Sequence, residues 1–362
     1  MSLMTSLYTG TIGMQSNSLD LSVIGDNIAN ANTIGFKGSR TAFEDMMAQS
    51  MIGSGQRGLG SNVQAIQKLI TQGALTTTGL ATDLALQGNG FFVVKGNHNG
   101  TDGQYYTRAG QFTLDRDGNL VNLDGLKVQG FAADNNGVVG ATLGDLQFSS
   151  ATAPPRATAN VRITANLNPE EAPITAAFDP ANPDATSNFK TSTVVYDSLG
   201  KQHSVDVYWR MSAVGTWDWH ALTDGANLQG GTAGTMTEIA GGTMTFDASG
   251  NQTAFTQLGA FNPIGAVNPQ PLAFDFSQIT QYARAEAVTF QSQDGYASGT
   301  LANINIDTDG SIIGTFSNGQ SRTLGQVAVA DFEAADQLER AGGNLFSDAP
   351  GAGQPVIGKA AS

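Results

Sequence analysis

From residue 3 to residue 31 the side chains Leu3, Leu7, Gly10, Met14, Asn17, Leu21, Ile24, Ile28 and Ala31 recur at alternating steps of four and three. That is the a/d spacing of a coiled-coil seam, and it predicts one long helix. Seven of the nine positions are apolar, Gly10 and Asn17 being the exceptions. A single polar seam residue such as Asn17 can fix register at a cost in stability. No proline interrupts the stretch, and Asn32, Thr33 and Gly35 supply the stop. Such a helix is ~43 Å long at 1.5 Å per residue. An apolar stripe met before any other core material needs a partner. The spacing leaves open whether that partner is the helix's own domain, the far end of the chain, or another chain.

Beyond the helix the texture changes. Residues 36–70 read as a Gly- and Met-containing transition, and strand signals dominate from about residue 71. Phe91-Phe92-Val93-Val94 is an apolar run after a Gly88-Asn89-Gly90 turn. Asx-Gly dipeptides follow at 99–100, 102–103, 117–118, 124–125 and 136–137, and again at 294–295, 309–310 and 318–319. They read as hairpin turns, since Asn, Asp and Gly tolerate positive φ. Between these clusters, residues 151–185 are rich in Ala, Pro, Thr and Asn. In Ser204–Arg210, Val205, Val207 and Trp209 then alternate with polar positions. Pro263, Pro269 and Pro271 mark a second boundary. The resulting expectation is a mainly β chain with a long N-terminal α-helix, in which a split β domain carries an inserted second β domain. The segments are an N-terminal helix over 1–35, a transition over 36–70, a split β domain over 71–147 and 281–362, and an inserted β domain over 148–280.

Chemistry is sparse. Cys is absent, so there is no thiolate and no disulfide. His98, His203 and His220 show no metal-ligand spacing, and no nucleophile elbow occurs. A hydrolase built on His203 or His220 is the enzymatic alternative. Trp209, Trp217 and Trp219 offer either a sugar-binding face, as in a surface carbohydrate-binding β module, or ordinary core packing. Asp115-Arg116-Asp117-Gly118-Asn119 and Asp307-Thr308-Asp309-Gly310 place carboxylates close together, but Gly follows the second Asp directly, which suits a hairpin turn better than a calcium loop. The reading is therefore no catalytic residue, no metal and no cofactor. A net charge of −14 opposes binding to nucleic acid or anionic lipid. No run of 18 or more apolar residues exists to span a membrane. The N-terminus also lacks the basic region of a Sec signal peptide.

Six stretches carry a family resemblance. Ser22-Val-Ile-Gly-Asp-Asn-Ile-Ala-Asn-Ala-Asn-Thr-Ile-Gly-Phe-Lys37 resembles the N-terminal signature of bacterial flagellar rod and hook proteins, through Asn27, Asn30, Asn32, Thr33, Gly35, Phe36 and Lys37. Thr78–Val94 and Tyr106–Leu120 are similar to that family's second signature, and Tyr196–Gly200, Gln293–Gly299 and Phe316–Gln320 look hook-like. The resemblance runs from residue 3 to about 346. It implies a hook subunit at the base of the flagellar filament, outside the cell, that polymerises with itself into a flexible helical tube and passes motor torque to the filament. The implied partners are further copies, rod, hook-cap and hook–filament junction proteins, and the type III export apparatus. Self-assembly would run through the seam residues Leu3, Leu7, Met14, Leu21, Ile24 and Ile28. The distal rod is the alternative within the family, and the large insertion favours the hook. Family members also end in an amphipathic helix that partners the first one. This sequence stops at Ile357–Ser362 without apolar heptads, as though cut before it.

Overall fold

The computed structural model describes residues 3–46, 49–51, 54–57, 60–149 and 151–360; for Leu3, Thr5, 49–51 and 54–57 only the backbone is described. The fold is mostly β, with one long helix, α1, over Leu3–Ala29. Two compact units emerge. The first comprises Met1–Ala151, Ala302–Thr315 and Ser321–Ser362, and the second Thr152–Leu301 with Phe316–Gln320. A split β unit thus carries an inserted β unit.

In the first unit, strand Phe91–His98 pairs antiparallel with Thr101–Thr107 and with Lys127–Ala133. The returning strand Ser321–Asp331 joins the two halves of the split unit, pairing with Phe91 and Phe92 and with residues of Lys127–Ala133. Val356–Lys359 then pairs with it. All four residues of Phe91-Phe92-Val93-Val94 are buried, because both faces of this sheet are covered. On one face Phe332 meets Phe91 and Tyr106 edge-on, with ring centroids 6.0 and 4.8 Å apart. Phe92 meets Phe112 at 5.1 Å. Residues 36–70, anticipated as a transition, contain an antiparallel ladder between Ser39–Asp45 and Ser61–Lys68 with a bulge at Ala42/Phe43.

The Asx-Gly dipeptides do not all play the same part. Only Asn99-Gly100 has positive φ at both residues, the type I′ geometry read from the sequence. At Gly118, Gly137 and Gly310 only the glycine is left-handed, with φ of 74°, 81° and 76°. Each of these amides donates to a carbonyl three residues back, those of Asp115, Asp134 and Asp307. These are type I turns closed by a left-handed glycine. The Asp115 carboxylate accepts from the amides of Asp117 and Asn119 and from Asn119 Nδ2, so its own turn occupies it. Asp102-Gly103 lies inside a strand, Gly103 opposite Gly96. Gly295 is no turn residue either. A Cβ there would come within 2.2 Å of Thr158 Oγ1, so glycine is required for close approach.

In the second unit a five-stranded antiparallel sheet runs in sequence order through Phe189–Tyr196, Gln202–Ala213, Thr216–Asp224, Met236–Phe246 and Gln252–Phe255. A smaller sheet is centred on Asn160–Leu167, which pairs with Ala273–Asp275, Thr280–Gln281 and Ala287–Gln293. Strand Ala287–Gln293 therefore groups with the inserted unit. The crossing falls at residue 301 and not near 280, because the pairing with Asn160–Leu167 outweighs the proline boundary seen in sequence. The core between the sheets holds Trp209, Trp217, Trp219 and Phe276. All three indoles are fully buried, each removing roughly 150–250 Å² from water. This overturns the sugar-face alternative for these rings.

Two carboxylates anchor this unit. Asp197 accepts from His203 Nε2 at 2.9 Å and from the amides of Leu199 and Lys201, all within a buried corner. Asp294 accepts from the amides of Ala159 and Asn160 and from Asn160 Nδ2. Burial pushes both carboxyls up, but these hydrogen bonds outweigh it and hold both below the ordinary carboxylate value. A depressed folded pKa gives stability that is complete above the unfolded value of about 3.9 and is lost as pH falls through the folded value. Urea unfolding followed by tryptophan fluorescence should therefore give a constant midpoint from about pH 7 to 5 and a falling one below about pH 4. Asp197→Asn should cost about 3 kcal/mol at neutral pH by breaking the buried pair, and should make the acid limb shallower. An acid limb of unchanged slope in that variant would remove Asp197 from the account.

Candidate assembly surface

Helix α1 is heptad-periodic on two opposite sides, and the structure uses them differently. Residues Thr9, Gly13, Ser16, Asp20, Val23 and Asn27 form the inward line, buried or half-buried. Ser16 is 5% exposed and Val23 9%. This side rests on the 39–68 ladder: Ser16 Oγ donates to Ser61 O at 3.1 Å. Gly60 lies so close to Thr9 that a Cβ there would sit 3.2 Å from the Thr9 methyl. The predicted seam faces the other way. Leu7, Met14, Leu21 and Ile28 are 60–70% exposed and Ile24 44%. Leu3 opens the helix on the same line, but its side chain lies outside the described residues. Asn17, the polar seam position, turns its Nδ2 onto Gly13 O at 2.8 Å and so satisfies itself on its own helix.

This arrangement inverts the usual rule for an amphipathic helix. Apart from Val23 the inward line is made of small and polar side chains, while the apolar line has no partner among the described residues. Fully burying a Leu, Ile or Met gains about 1.5–3 kcal/mol, and none of Leu7, Met14, Leu21, Ile24 and Ile28 is buried here.

The family-signature residues build the corner where α1 meets the split β unit. Asn27 pairs with Ser39 twice, Nδ2 donating to its carbonyl at 2.7 Å and Oδ1 accepting from its amide at 2.9 Å. Asn30 Nδ2 donates to both the carbonyl and the carboxylate of Asp26, and Asn30 Oδ1 accepts from Thr33 Oγ1. Gly35 has φ +77° and packs its Cα against Ala109; a Cβ would lie 2.5 Å from that residue's amide nitrogen. Lys37 is buried, its Nζ donating to Thr71 O at 2.6 Å. Burial, then the nearby Arg108 charge, lowers its pKa. Asn32 is exposed.

Two corner residues lay outside the sequence reading. The Arg340 guanidinium lies 5.0 Å from the centre of the Phe36 ring, bonds Asp26 Oδ2 at 3.2 Å, and donates to the Lys37 carbonyl and to Ser39 Oγ. Asn344 Nδ2 donates to Ile34 O at 3.1 Å. Both are some 300 residues from their partners, and no local pattern marks them. The three histidines do not converge. His98 contacts Ala341 O, His203 is buried against Asp197, and His220 stacks on Phe178 at 3.9 Å while bonding Glu238.

Comparison with known proteins follows the same division. Residues 7–37 match the family described as flagella basal body rod protein. Residues 85–166 match the D1 domain of flagellar hook protein FlgE/F/G, and residues 164–296 the D2 domain of flagellar basal body protein FlaE. Fold and matches together define a structural subunit of the bacterial flagellum. The flagellar hook protein FlgE of Treponema pallidum is 32% identical, over 95% of this chain and 85% of that protein. FlgE of Escherichia coli K12 is 31% identical, over 96% of this chain and 84% of its own length. A crystal structure of Helicobacter pylori flagellar hook protein FlgE2 aligns with a TM-score of 0.49 and 16% identity, covering 77% of this chain and 95% of that one. The chain belongs to the flagellar hook protein FlgE family and is a structural subunit of the bacterial flagellar hook.

Replacing Asn27 with Ala should leave the Ser39 amide and carbonyl without their partner, at about 1–3 kcal/mol. Hydrogen exchange at the Ser39 amide should speed up at least tenfold, whereas Asn32→Ala should change it little.

Proposed function

We propose that this subunit builds the hook by pairing the outward seam of α1, through Leu3, Leu7, Met14, Leu21, Ile24 and Ile28, with further axial helices of the polymer. The observation that carries this reading is the side the seam takes: it faces away from the chain's only long helix-packing surface among the described residues. An apolar stripe of this length is poorly tolerated in water, and burial against neighbours would supply the energy of association. A heterologous contact that does not close on itself then propagates as an open helix, the geometry of a tube.

In the proposed polymer, helix 1–35 lies innermost, the split β unit forms a middle layer, and the inserted unit lies outside. Export through the flagellar type III apparatus, and end contacts with rod, hook-cap and hook–filament junction proteins, complete the role. The role is mechanical and not enzymatic. His203 is closed off in a core corner, and the His220 ring is covered by Phe178.

A charge placed on the seam should separate folding from assembly. Leu21 is exposed, so Leu21→Asp should shift the thermal midpoint of the monomer by no more than the equivalent of about 0.5 kcal/mol. In the source bacterium, with the chromosomal copy replaced, the same variant should abolish hooks in electron micrographs and swimming in soft agar. Normal hooks from Leu21→Asp would sink the seam reading.

A further inference from the structure

Among the described residues, the direction in which α1 leaves the β body is not set by a hydrophobic core. The core of the split unit around Phe91, Tyr106, Phe332 and Phe346 contains no residue of 3–68. Helix and ladder form one piece through Ser16–Ser61 and Asn27–Ser39. That piece meets the body through polar contacts and the close approach of Gly35 to Ala109. Lys68 Nζ reaches Asp336 O at 3.2 Å, Asn344 reaches Ile34 O, and Arg340 reaches three groups at once.

Arg340 differs from the other attachments in geometry. Its side chain touches the last turn of α1 at Asp26, the corner at Phe36 and Lys37, and the first ladder strand at Ser39. A guanidinium presents its donors in one rigid plane, so several partners can be met only at a restricted angle. The ring of Phe36 beneath it fixes that plane further. Arg340 and Asn344 sit on one short hairpin, Glu339–Gly342 paired with Leu345–Ser347, and Asn344 holds φ +60° at its turn. Leu345 and Phe346 in turn pair with Thr107 and Tyr106 of the central sheet, so the hairpin is anchored in the rigid body.

We propose that Arg340 is the positioning residue of the assembly surface: through Asp26, Phe36, Lys37 and Ser39 it fixes the angle at which α1 projects, and with it where the seam is presented to neighbouring subunits. This rests on the seam reading above. The contact is half-exposed, and exposed ion pairs add little to stability. Its effect is therefore on orientation. Ser6 lies some 20 residues before Asp26, about 30 Å at 1.5 Å per residue, so a small change of angle at the corner becomes a large displacement at the helix start.

The chain has no cysteine, which makes paired spin labelling clean. Labels at Ser6→Cys and Val138→Cys, both exposed and both in the first unit, report the helix against the body. Electron–electron distance measurement on the monomer should give a narrow distribution with Arg340 present. Arg340→Gln should at least double its width while the thermal midpoint moves by no more than about 2 °C. Arg340→Lys should behave like Arg340→Gln, since an ammonium cannot span the three partners. In cells, Arg340→Gln should give few or short hooks. Leu21→Asp should abolish hooks while leaving the distribution narrow. An unchanged width in Arg340→Gln overturns the proposal, as does a large fall in its midpoint, which would make Arg340 a stability residue. A widened distribution with normal hooks also overturns it. Normal hooks from Leu21→Asp would instead remove the seam reading beneath it.

Discussion

Helix α1 rests on its own ladder through Ser16, Val23 and Asn27, and the character of the molecule follows from how thin that contact is. One buried valine contributes about 1.5–3 kcal/mol, far below what would hold a 27-residue helix in place by packing alone. Specific hydrogen bonds do the rest, above all the two between the Asn27 side-chain amide and the Ser39 backbone. Had the inward line been apolar, the helix would have buried its driving force within its own subunit. The small and polar inward side chains instead fix the helix while leaving the outward seam for use elsewhere.

The two β units obey the opposite economy of interactions. Each encloses its own aromatic core, with rings meeting edge-on in the first unit and three tryptophans packed around Phe276 in the second. Turns are secured by carboxylates that bond their own loop amides, as Asp115, Asp134 and Asp247 do. Such loops are locally self-sufficient, and the inserted unit adds long-range ion pairs between Arg162 and Asp275 at 2.7 Å and between Arg156 and Asp294 at 3.7 Å. Rigid bodies joined to a sparsely packed helix suit a subunit of a structure that bends, since the cores can stay intact while surface contacts exchange.

Much of this was legible in sequence wherever a period or a run existed. The four–three spacing located α1 and its seam, and Phe91–Val94 marked the central strand. The alternation of Val205, Val207 and Trp209 marked the inserted sheet, and all three are buried. The ladder of 39–68 was not legible because its strands bury little: Ser61–Lys68 alternates only weakly between half-buried and exposed, so no hydrophobic period forms. The far crossing was misplaced because strand Ala287–Gln293 is defined by a partner some 130 residues earlier, which no local signal encodes. Most Asx-Gly dipeptides announced turns, though not at Asp102-Gly103 or Asp294-Gly295, and none announced the turn type. That depends on whether the Asx residue itself turns left-handed, as Asn99 does, or sits ahead of a lone left-handed glycine. The apolar line of α1 and the Asn27–Lys37 segment stood out in the sequence, and Arg340, which bonds Asp26, Lys37 and Ser39, did not.

The glycines of α1 complete the argument. Gly10, Gly13 and Gly25 each weaken an isolated helix by about 1 kcal/mol relative to alanine. In a packed protein such a cost is usually offset by close approach, as at Gly35, Gly60 or Gly295, where a Cβ would collide. At Gly10, Gly13 and Gly25 a Cβ would meet nothing within 4 Å. Among the described residues, these three positions lower helix stability without a close approach that requires glycine. Gly10 belongs to the outward seam itself, and in a coiled-coil line a missing side chain lets a second backbone come near. Gly13 lies on the inward line, but at Gly10, on the outward line, the space is open to an approaching helix, beside the exposed leucines and isoleucines.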